Sequence, residues 1–296
     1  MGAGAAKVAV VTSAAGLEYD VDLPLVVDAL RADGLAAEAV AWDADGVEWG
    51  GFDRAVIRST WDYSGRLDEF LAWADKAGRA TRLWNPLPVV RWNSDKRYLP
   101  ELAGRGVAVV PTRVIDPGGR CEEADFDLPT GAVVKPSVSA GARDTARYEP
   151  GRHADAARHA RMLLDQGRSA MVQPYLPLVE EGERALVFLA ARDGLTFSHA
   201  IRKQPVLTEP NVIDNFRETH PGLVPHEPTG AEIRTALDAL AAVPAPDALL
   251  FARVDLVLDD SRAPVVMELE LIEPNLFLRS DPRALERFVC AVAAVG

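Results

Sequence analysis

The chain has 296 residues, 48% of them hydrophobic and 26% charged, which is enough to bury about one to three compact cores. A formal net charge of -12 argues against general binding to the phosphate backbone of nucleic acids. No stretch approaches the roughly 20 apolar residues that span a bilayer, so we expect a cytoplasmic protein with no membrane partner. Cys121 and Cys290 lie far apart and indicate neither a disulfide framework nor a zinc site.

Strand and helix patterns alternate through about the first 90 residues. The predicted elements are strands at 7–12, 36–42 and 53–59 and helices at 22–34 and 66–78. This alternation favours an α/β fold in which a doubly wound parallel sheet forms an N-terminal domain over residues 1–92.

The pattern changes after Trp92. Residues 93–172 predict a small α+β lid domain, with helices at 95–104 and 153–167 and strands at 132–136 and 169–174. Residues 173–296 predict a C-terminal sheet domain, whose elements are strands at 185–191, 195–202, 252–258 and 265–272 and helices at 229–242 and 282–294.

The last two predicted strands each alternate apolar with polar residues. One face is therefore core, and the other carries Asp255, Glu268 and Glu270. The simplest alternative is a hairpin whose acids face water. Three clustered carboxylates repel one another, however, and hard cations such as Mg2+ are commonly held by carboxylates together with substrate phosphates. We therefore predict a metal site on this face.

The register of this hairpin decides whether the acids meet. Pairing of Leu258 with Val265 would place Asp255 opposite Glu268, and a slip of one residue would destroy the arrangement. The same register would place Arg253 opposite the third acid.

Lysine is rare in this chain, with five among 32 basic residues, and three of the five lie in motif-like segments: Lys96, Lys135 and Lys203. A run of small residues begins at Ser137, just after Lys135, and its backbone N–H groups could approach phosphate oxygens. The alternative for Lys135 is a solvated lysine at the end of a strand.

Taken together, these segments resemble the ATP-grasp superfamily of carboxylate-activating ligases over most of the chain. Residues 173–188, QPYLPLVEEGERALVF, look like the adenine and ribose segment of bacterial glutathione synthetases. The resemblance implies that Gln173 and the backbone at Tyr175 and Leu176 hold adenine, and that Glu183 binds the ribose. It also implies that Lys96 in NSDK and Lys135 in VVKP contact the phosphates of ATP.

The resemblance extends to the acidic hairpin. Asp255, Glu268 and Glu270 match the magnesium ligands of the family, except that Glu270 stands where the family has Asn. Arg202 and Arg217 match basic residues that steady the transferred phosphate and the acyl phosphate, with Lys203 assisting them.

Three further segments look most like the group of small ligases that contains D-cycloserine synthetase. They are IRSTWDY at 57–63, SHAIRK at 198–203 and MELELIEPNLFL at 267–278. This likeness implies a substrate role for Arg58, Thr60, Asp62 and Asn275. The alternative is a buried arginine–aspartate pair beside a core Trp61.

The activity implied is ATP-dependent formation of an acyl phosphate, with Mg2+, followed by attack of an amine. The group resemblance implies cyclisation of the small, amino-acid-like O-ureido-D-serine, and a homodimer is an open expectation. The alternatives are an intermolecular dipeptide ligase and a non-catalytic nucleotide-binding protein. A nicotinamide-dependent oxidoreductase is disfavoured because residues 12–17 read TSAAGL rather than G-x-G-x-x-G.

Overall fold

The computed structural model describes residues 5–205, 207, 209–213 and 222–295. In this part the α-helices are α1 (Ala14–Tyr19), α2 (Leu23–Ala32), α3 (Leu67–Ala80), α4 (Leu87–Asn93), α5 (Tyr98–Gly104), α6 (His153–Asp165), α7 (Gly230–Ala241) and α8 (Ala284–Ala294). The strands are β1 (Lys7–Thr12), β2 (Ala36–Ala41), β3 (Arg54–Ser59), β4 (Arg82–Trp84), β5 (Arg113–Ile115), β6 (Ala132–Pro136), β7 (Ala146–Tyr148), β8 (Ala170–Pro174), β9 (Glu183–Ala191), β10 (Gly194–Lys203), β11 (Val224–Pro225), β12 (Phe251–Leu258) and β13 (Pro264–Glu270).

The first sheet is parallel, in the order β2-β1-β3-β4. Its strands are apolar on both faces because helices cover both sides. Val8 and Val10 pack towards α2 and the C-terminal helix α8, whereas Val11 and Ile57 pack towards α3. The predicted parallel α/β unit is therefore present, with α8 returning from the far end of the chain to complete its core.

Two antiparallel sheets follow. The smaller has the order β5-β8-β6-β7 and packs against α6. The larger has the order β11-β10-β9-β12-β13 and packs on one face against α7, which begins with a capping box between Thr229 and Glu232. Three sheets thus follow the three predicted domains in order. The boundaries at 92 and 172 stay a prediction, and β8 runs on to Pro174.

The predicted helix at 95–104 is wrong in its extent. The chain forms α4 before Ser94 and resumes as α5 only at Tyr98, with Lys96 in the connection between them. Lys96 therefore projects from a short turn between two helices.

The register of the acidic hairpin is partly as predicted. Asp255 pairs with Glu268 and Arg253 with Glu270, but Leu258 pairs with Pro264 rather than with Val265. A register shift between Asp255 and Leu256 accounts for the difference, because the extra residue is absorbed there. The site end of the hairpin keeps the predicted pairing.

Strand β13 is the outer strand of its sheet, and groups from outside the sheet pair its free edge. The Tyr98 hydroxyl donates to the Leu269 carbonyl at 3.0 Å and accepts from the Leu269 N–H at 2.9 Å. The Asn93 amide donates to the Leu269 carbonyl at 3.0 Å and accepts from the Leu271 N–H at 2.8 Å. Residues that flank Lys96 are thus bonded directly to the strand that carries Glu268 and Glu270.

We expect Tyr98→Phe to lower the free energy of unfolding by about 1–3 kcal/mol, because it leaves a buried backbone N–H without its partner. Denaturant titration measures the change. Tyr148→Phe is the matched control, since the Tyr148 ring is also buried but its hydroxyl makes no hydrogen bond to the described residues. Equal losses in the two variants would contradict this role of the Tyr98 hydroxyl.

Candidate functional site

The three predicted acids lie on one face of the β12–β13 hairpin, opposite the face that packs on α7. Asp255 is only 1% exposed, and Glu268 and Glu270 are half-buried. The alternative of acids that simply face water is therefore wrong for Asp255. A buried carboxylate needs compensating charge and hydrogen bonds, and the surrounding side chains supply both.

Two cations hold Asp255. Arg253 donates to it through Nε at 2.8 Å and through Nη2 at 3.0 Å, and Lys203 Nζ lies 2.6 Å from Oδ2. Burial opposes ionisation of Asp255, but Arg253 and Lys203 outweigh it and hold the pKa below its usual range. Lys203 also lies 3.0 Å from Glu183 Oε2, so one ammonium joins the predicted metal site to the predicted ribose site.

Glu268 faces the segment between α4 and α5. Its Oε1 lies 3.2 Å from Lys96 Nζ, which also donates to the Ser139 carbonyl at 2.6 Å. The Lys96 backbone N–H donates to the Ser137 carbonyl at 2.8 Å, which ties the lid loop to the acids. Burial raises the pKa of Glu268, but the charges of Lys96 and Lys135 outweigh this effect, so the net shift of the pKa is downward.

Lys135 differs from the other buried cations of the site. It is 8% exposed, and its ammonium has no hydrogen-bond or ion-pair partner among the described residues. Burial lowers the pKa of Lys135, Glu268 opposes this shift and Lys96 adds to it. The alternative of a solvated lysine is wrong, and an unpaired buried ammonium beside Lys96 fits an anionic ligand.

Glu270 is paired with the chain's own arginine. Arg253 Nη2 donates to Glu270 Oε1 and also to Asp255. Burial raises the pKa of Glu270 to about 7 despite the opposing pull of Arg253. The added negative charge at the family's Asn position is therefore compensated within the protein. Sequence reasoning placed Arg253 opposite Glu270 but gave it no function.

The fit to a metal ion needs phosphate oxygens as well as protein ligands. In the described ranges, no group of three or more His, Cys, Asp and Glu side chains could hold a metal by itself. Mg2+ is usually bound through one or two carboxylates plus substrate phosphates and water, so a pair such as Asp255 and Glu268 suits it beside Lys96 and Lys135. The donor set thus fits Mg2+ carried together with a nucleotide.

The segment predicted to hold adenine leaves the small sheet at β8 and enters the large one at β9. Gln173 is 4% exposed and donates to the Thr112 hydroxyl at 2.7 Å, and the Tyr175 N–H donates to the Gly131 carbonyl at 2.9 Å. Leu176 packs beside the buried cluster of Val110, Val257 and Val265.

Glu183, the predicted ribose ligand, follows Gly182 at the start of β9. Gly182 has a φ of 99°, in the region that favours glycine. Burial raises the pKa of Glu183, against the opposing effect of Lys203.

The two predicted catalytic arginines have different outcomes. Arg202 is exposed and next to Lys203 in β10, so its side chain lies on the opposite face of the sheet, beside Gly182. The interpretation that Arg202 acts together with Lys203 is therefore not supported by its position. Arg217 lies outside the described residues.

The predicted substrate residues of the N-terminal unit are mainly occupied with other contacts. Arg58 is 3% exposed, and its Nε lies 3.3 Å from Asp20 while its Nη1 donates to the Pro274 carbonyl at 3.0 Å. This is the alternative of a buried arginine–aspartate pair, which fastens the loop after β13. The Thr60 hydroxyl is buried and has no hydrogen-bond partner in the described part.

The other two predicted substrate residues also make internal contacts. Asp62 accepts from the Trp42 indole at 3.1 Å, and the Asn275 side chain accepts from the Phe277 N–H at 2.9 Å. Trp61 is 37% exposed rather than part of the core, and its indole N–H donates to the Glu273 carbonyl at 3.4 Å. Glu273, which sequence reasoning missed, therefore lies in a loop where the first and third units meet.

Known proteins match this chain along its length. The D-cycloserine synthetase DcsG N-terminal domain family matches residues 8–85. The cycloserine biosynthesis protein DcsG of Streptomyces lavendulae is 36% identical over 296 residues, covering 96% of this chain and 97% of that protein. The crystal structure of D-cycloserine synthetase DcsG has a TM-score of 0.84 at 34% identity, covering 97% of this chain and 98% of that one.

A more distant structure shares the fold. The RimK domain ATP-grasp protein from Sphaerobacter thermophilus DSM 20745 has a TM-score of 0.64 at 18% identity, covering 98% of this chain and 100% of that one. The comparisons confirm the predicted ATP-grasp fold and the resemblance to ATP-grasp ligases. Separately, no helix in the described part is long and apolar enough to cross a membrane.

We expect Lys135→Met to weaken nucleotide binding by about tenfold or more, equivalent to ~1.4 kcal/mol, because it removes a buried ammonium without a protein partner. Without nucleotide the variant should be no less stable than the wild type, since burial disfavours this charge. Calorimetric titration with an ATP analogue and thermal melts measure the two effects. The control is Lys76→Met, at an exposed lysine of α3, and unchanged affinity in Lys135→Met would refute the assignment.

Proposed function

The chain belongs to the D-cycloserine synthetase DcsG family of ATP-grasp ligases, and we propose that it closes the ring of D-cycloserine from O-ureido-D-serine. Membership of this family makes the chain an ATP-dependent ligase that forms a carbon–nitrogen bond. In the proposed reaction ATP phosphorylates the substrate carboxylate, and the ureido nitrogen bonded to oxygen in the same molecule displaces phosphate and closes the ring. Water then removes the carbamoyl group of the ureido substituent as carbon dioxide and ammonia. The use of ATP also supports the expected cytoplasmic location.

The observation that carries the proposal is the meeting of lysines and carboxylates at one point. Lys96 and the buried Lys135, which has no partner within the described ranges, lie on the lid side, and Asp255 and Glu268 lie on the hairpin. Cationic groups fixed in a buried site stabilise the charge that spreads over a transferred phosphoryl group. The site carries this charge pattern without needing an enzyme nucleophile.

We assign the nucleotide as follows. Lys96, Lys135 and the backbone at Ser137 hold the phosphates, and Asp255 and Glu268 hold Mg2+ together with phosphate oxygens. Glu270, predicted as the third ligand, is instead bonded to Arg253. The adenine lies against Gln173 and the backbone at Tyr175 and Leu176, and the ribose lies against Glu183. When bound, Mg2+ supplies charge that neutralises the phosphate oxygens.

The catalytic groups follow from the same arrangement. Lys203 keeps Asp255 and Glu183 in place, and Arg217 steadies the acyl phosphate, as the family resemblance implies. Arg202 has no part in this assignment because it lies on the other face of the sheet.

Activation is needed because an ionised carboxylate is a poor acyl donor. Phosphorylation gives the acyl carbon a good leaving group. If the nucleophile belongs to the same molecule, the site holds both reacting ends at once and avoids the entropic cost of bringing in a second molecule. A dipeptide ligase would use the same nucleotide chemistry with a separate site for the second amine, and it is the main competing function.

Glu268→Gln tests the acid at the centre of the site. We expect substrate-dependent ADP formation to fall about 100-fold or more. The substitution removes the negative charge of a carboxylate assigned to Mg2+ beside the transferred phosphoryl group, but it keeps the size and shape of the side chain. A coupled assay measures ADP, and circular dichroism checks the fold. Asp260→Asn, at an exposed acid on the turn of the same hairpin, should behave as the wild type. Normal turnover in Glu268→Gln would remove this residue from the site.

Nucleotide product analysis tests the function itself. With ATP, Mg2+ and O-ureido-D-serine alone, we expect ADP, phosphate and a cyclic product. ADP that forms only with pairs of amino acids would favour the dipeptide ligase. AMP and pyrophosphate would exclude acyl phosphate chemistry, and tight ATP binding with no turnover would favour the non-catalytic alternative.

A further inference from the structure

Glu273 is an acid that the proposed nucleotide site does not use. It is the third residue of the loop that follows β13, three positions after Glu270, and its side chain is half-buried. In the described part of the chain its carboxyl group has no ion-pair partner, and it accepts a hydrogen bond from its own backbone N–H. Taking a carboxyl group out of water without a charged partner is unfavourable, so a ligand donor at this position would offset a real cost.

The backbone around Glu273 is firmly held. The carbonyls of three successive residues, 273–275, accept hydrogen bonds from side chains of two units: Trp61 Nε1 at 3.4 Å, Arg58 Nη1 at 3.0 Å and Arg253 Nη1 at 3.0 Å. Arg58 and Arg253 are each 3% exposed. The loop therefore has a fixed path where the carboxyl end of β3 meets the acidic hairpin, and parallel sheets bind ligands at such ends.

The charges around Glu273 indicate which chemical group of a substrate can bind beside its carboxyl group. Its charged neighbours are Glu270, Lys96 and Glu268, and its own charge acts on the Tyr63 hydroxyl. Burial raises its pKa to about 8, Glu270 and Glu268 add to the shift, and Lys96 opposes it. Two neighbouring acids make this position unfavourable for a phosphate and favourable for an N–H donor.

We propose that Glu273 is the general base that accepts the proton of the attacking nitrogen. In this step the bond between nitrogen and the acyl carbon forms while the bond from that carbon to the phosphate oxygen breaks. Phosphate leaves with the electron pair, and the nitrogen proton passes to a carboxylate oxygen of Glu273. A base whose pKa lies near the working pH suits this transfer.

This assignment rests on the proposed function and deepens it. The lysines and the hairpin acids serve the phosphorylation half of the reaction. Glu273, beyond Glu270 on the side of the N-terminal unit, serves the half in which the amide bond forms. Loss of Glu273 should therefore separate the two halves, whereas loss of Glu268 should stop both.

The test compares Glu273→Gln with the wild type on O-ureido-D-serine, ATP and Mg2+. Hydroxylamine traps the acyl phosphate as a hydroxamate, and chromatography measures the cyclic product. We expect hydroxamate at a rate within about threefold of the wild type and ring formation reduced about 100-fold or more. Thermal melts check the fold, and Glu286→Gln, at an exposed acid on α8, should match the wild type in both assays.

The other outcomes are distinct. Ring formation at the wild-type rate in Glu273→Gln would overturn the proton-acceptor role alone. Loss of both hydroxamate and ring in a folded Glu273→Gln would also overturn it, because the residue would then serve phosphorylation. A wild type that forms no ADP from this substrate would overturn the proposed cyclisation and the role of Glu273 with it.

Discussion

The free edge of β13 is the constraint on which the site depends, because an outer strand leaves backbone groups unpaired unless other parts of the chain supply partners. Here Asn93 and Tyr98 pair the backbone at Leu269 and Leu271, between and beyond the acids. The same short segment carries Lys96. One set of neutral hydrogen bonds thus sets the distance between Lys96 and the hairpin acids, and does not rely on their mutual attraction.

Charge balance is the second requirement of the site. Four acids, Asp255, Glu183, Glu268 and Glu270, share a small volume with four cations, Lys96, Lys135, Lys203 and Arg253. Three of these cations are bonded to the acids, and Lys203 and Arg253 each contact two. Buried like charges are tolerated when opposite charges are interleaved with them. The replacement of the family's Asn by Glu270 is accommodated because Arg253 is already present two residues before Asp255.

The sequence predicted most of the longer elements and the pairing at the site end of the hairpin, because alternation and helical spacing report which face of each element is buried. It missed short elements such as β4, β5 and β7, which have too few residues to show a period. It did not predict the register shift after Asp255, which depends on how the strand packs rather than on its pattern. Arg202 was assigned by the family resemblance, but strict alternation along β10 places its side chain on the face opposite that of Lys203. The sequence left two roles open for Arg58, a substrate contact and a buried ion pair, because its partners Asp20 and Asp22 lie in a loop that is distant in sequence. Glu273 carried no local signal, since its environment comes from two units of the chain.

The balance of charges also indicates how a nucleotide can enter. Phosphates alone would bring negative charge next to Glu268, and a divalent cation alone would approach Lys96, Lys135 and Lys203. A complex of the two has a much smaller net charge, and each half can meet the opposite sign on this site. Among the described residues Lys135 has no partner to give up, whereas in the proposed site Lys96 would share its ammonium between Glu268 and a phosphate. Binding of the complex therefore replaces few internal ion pairs, and the hydrogen bonds that fix β13 need not change.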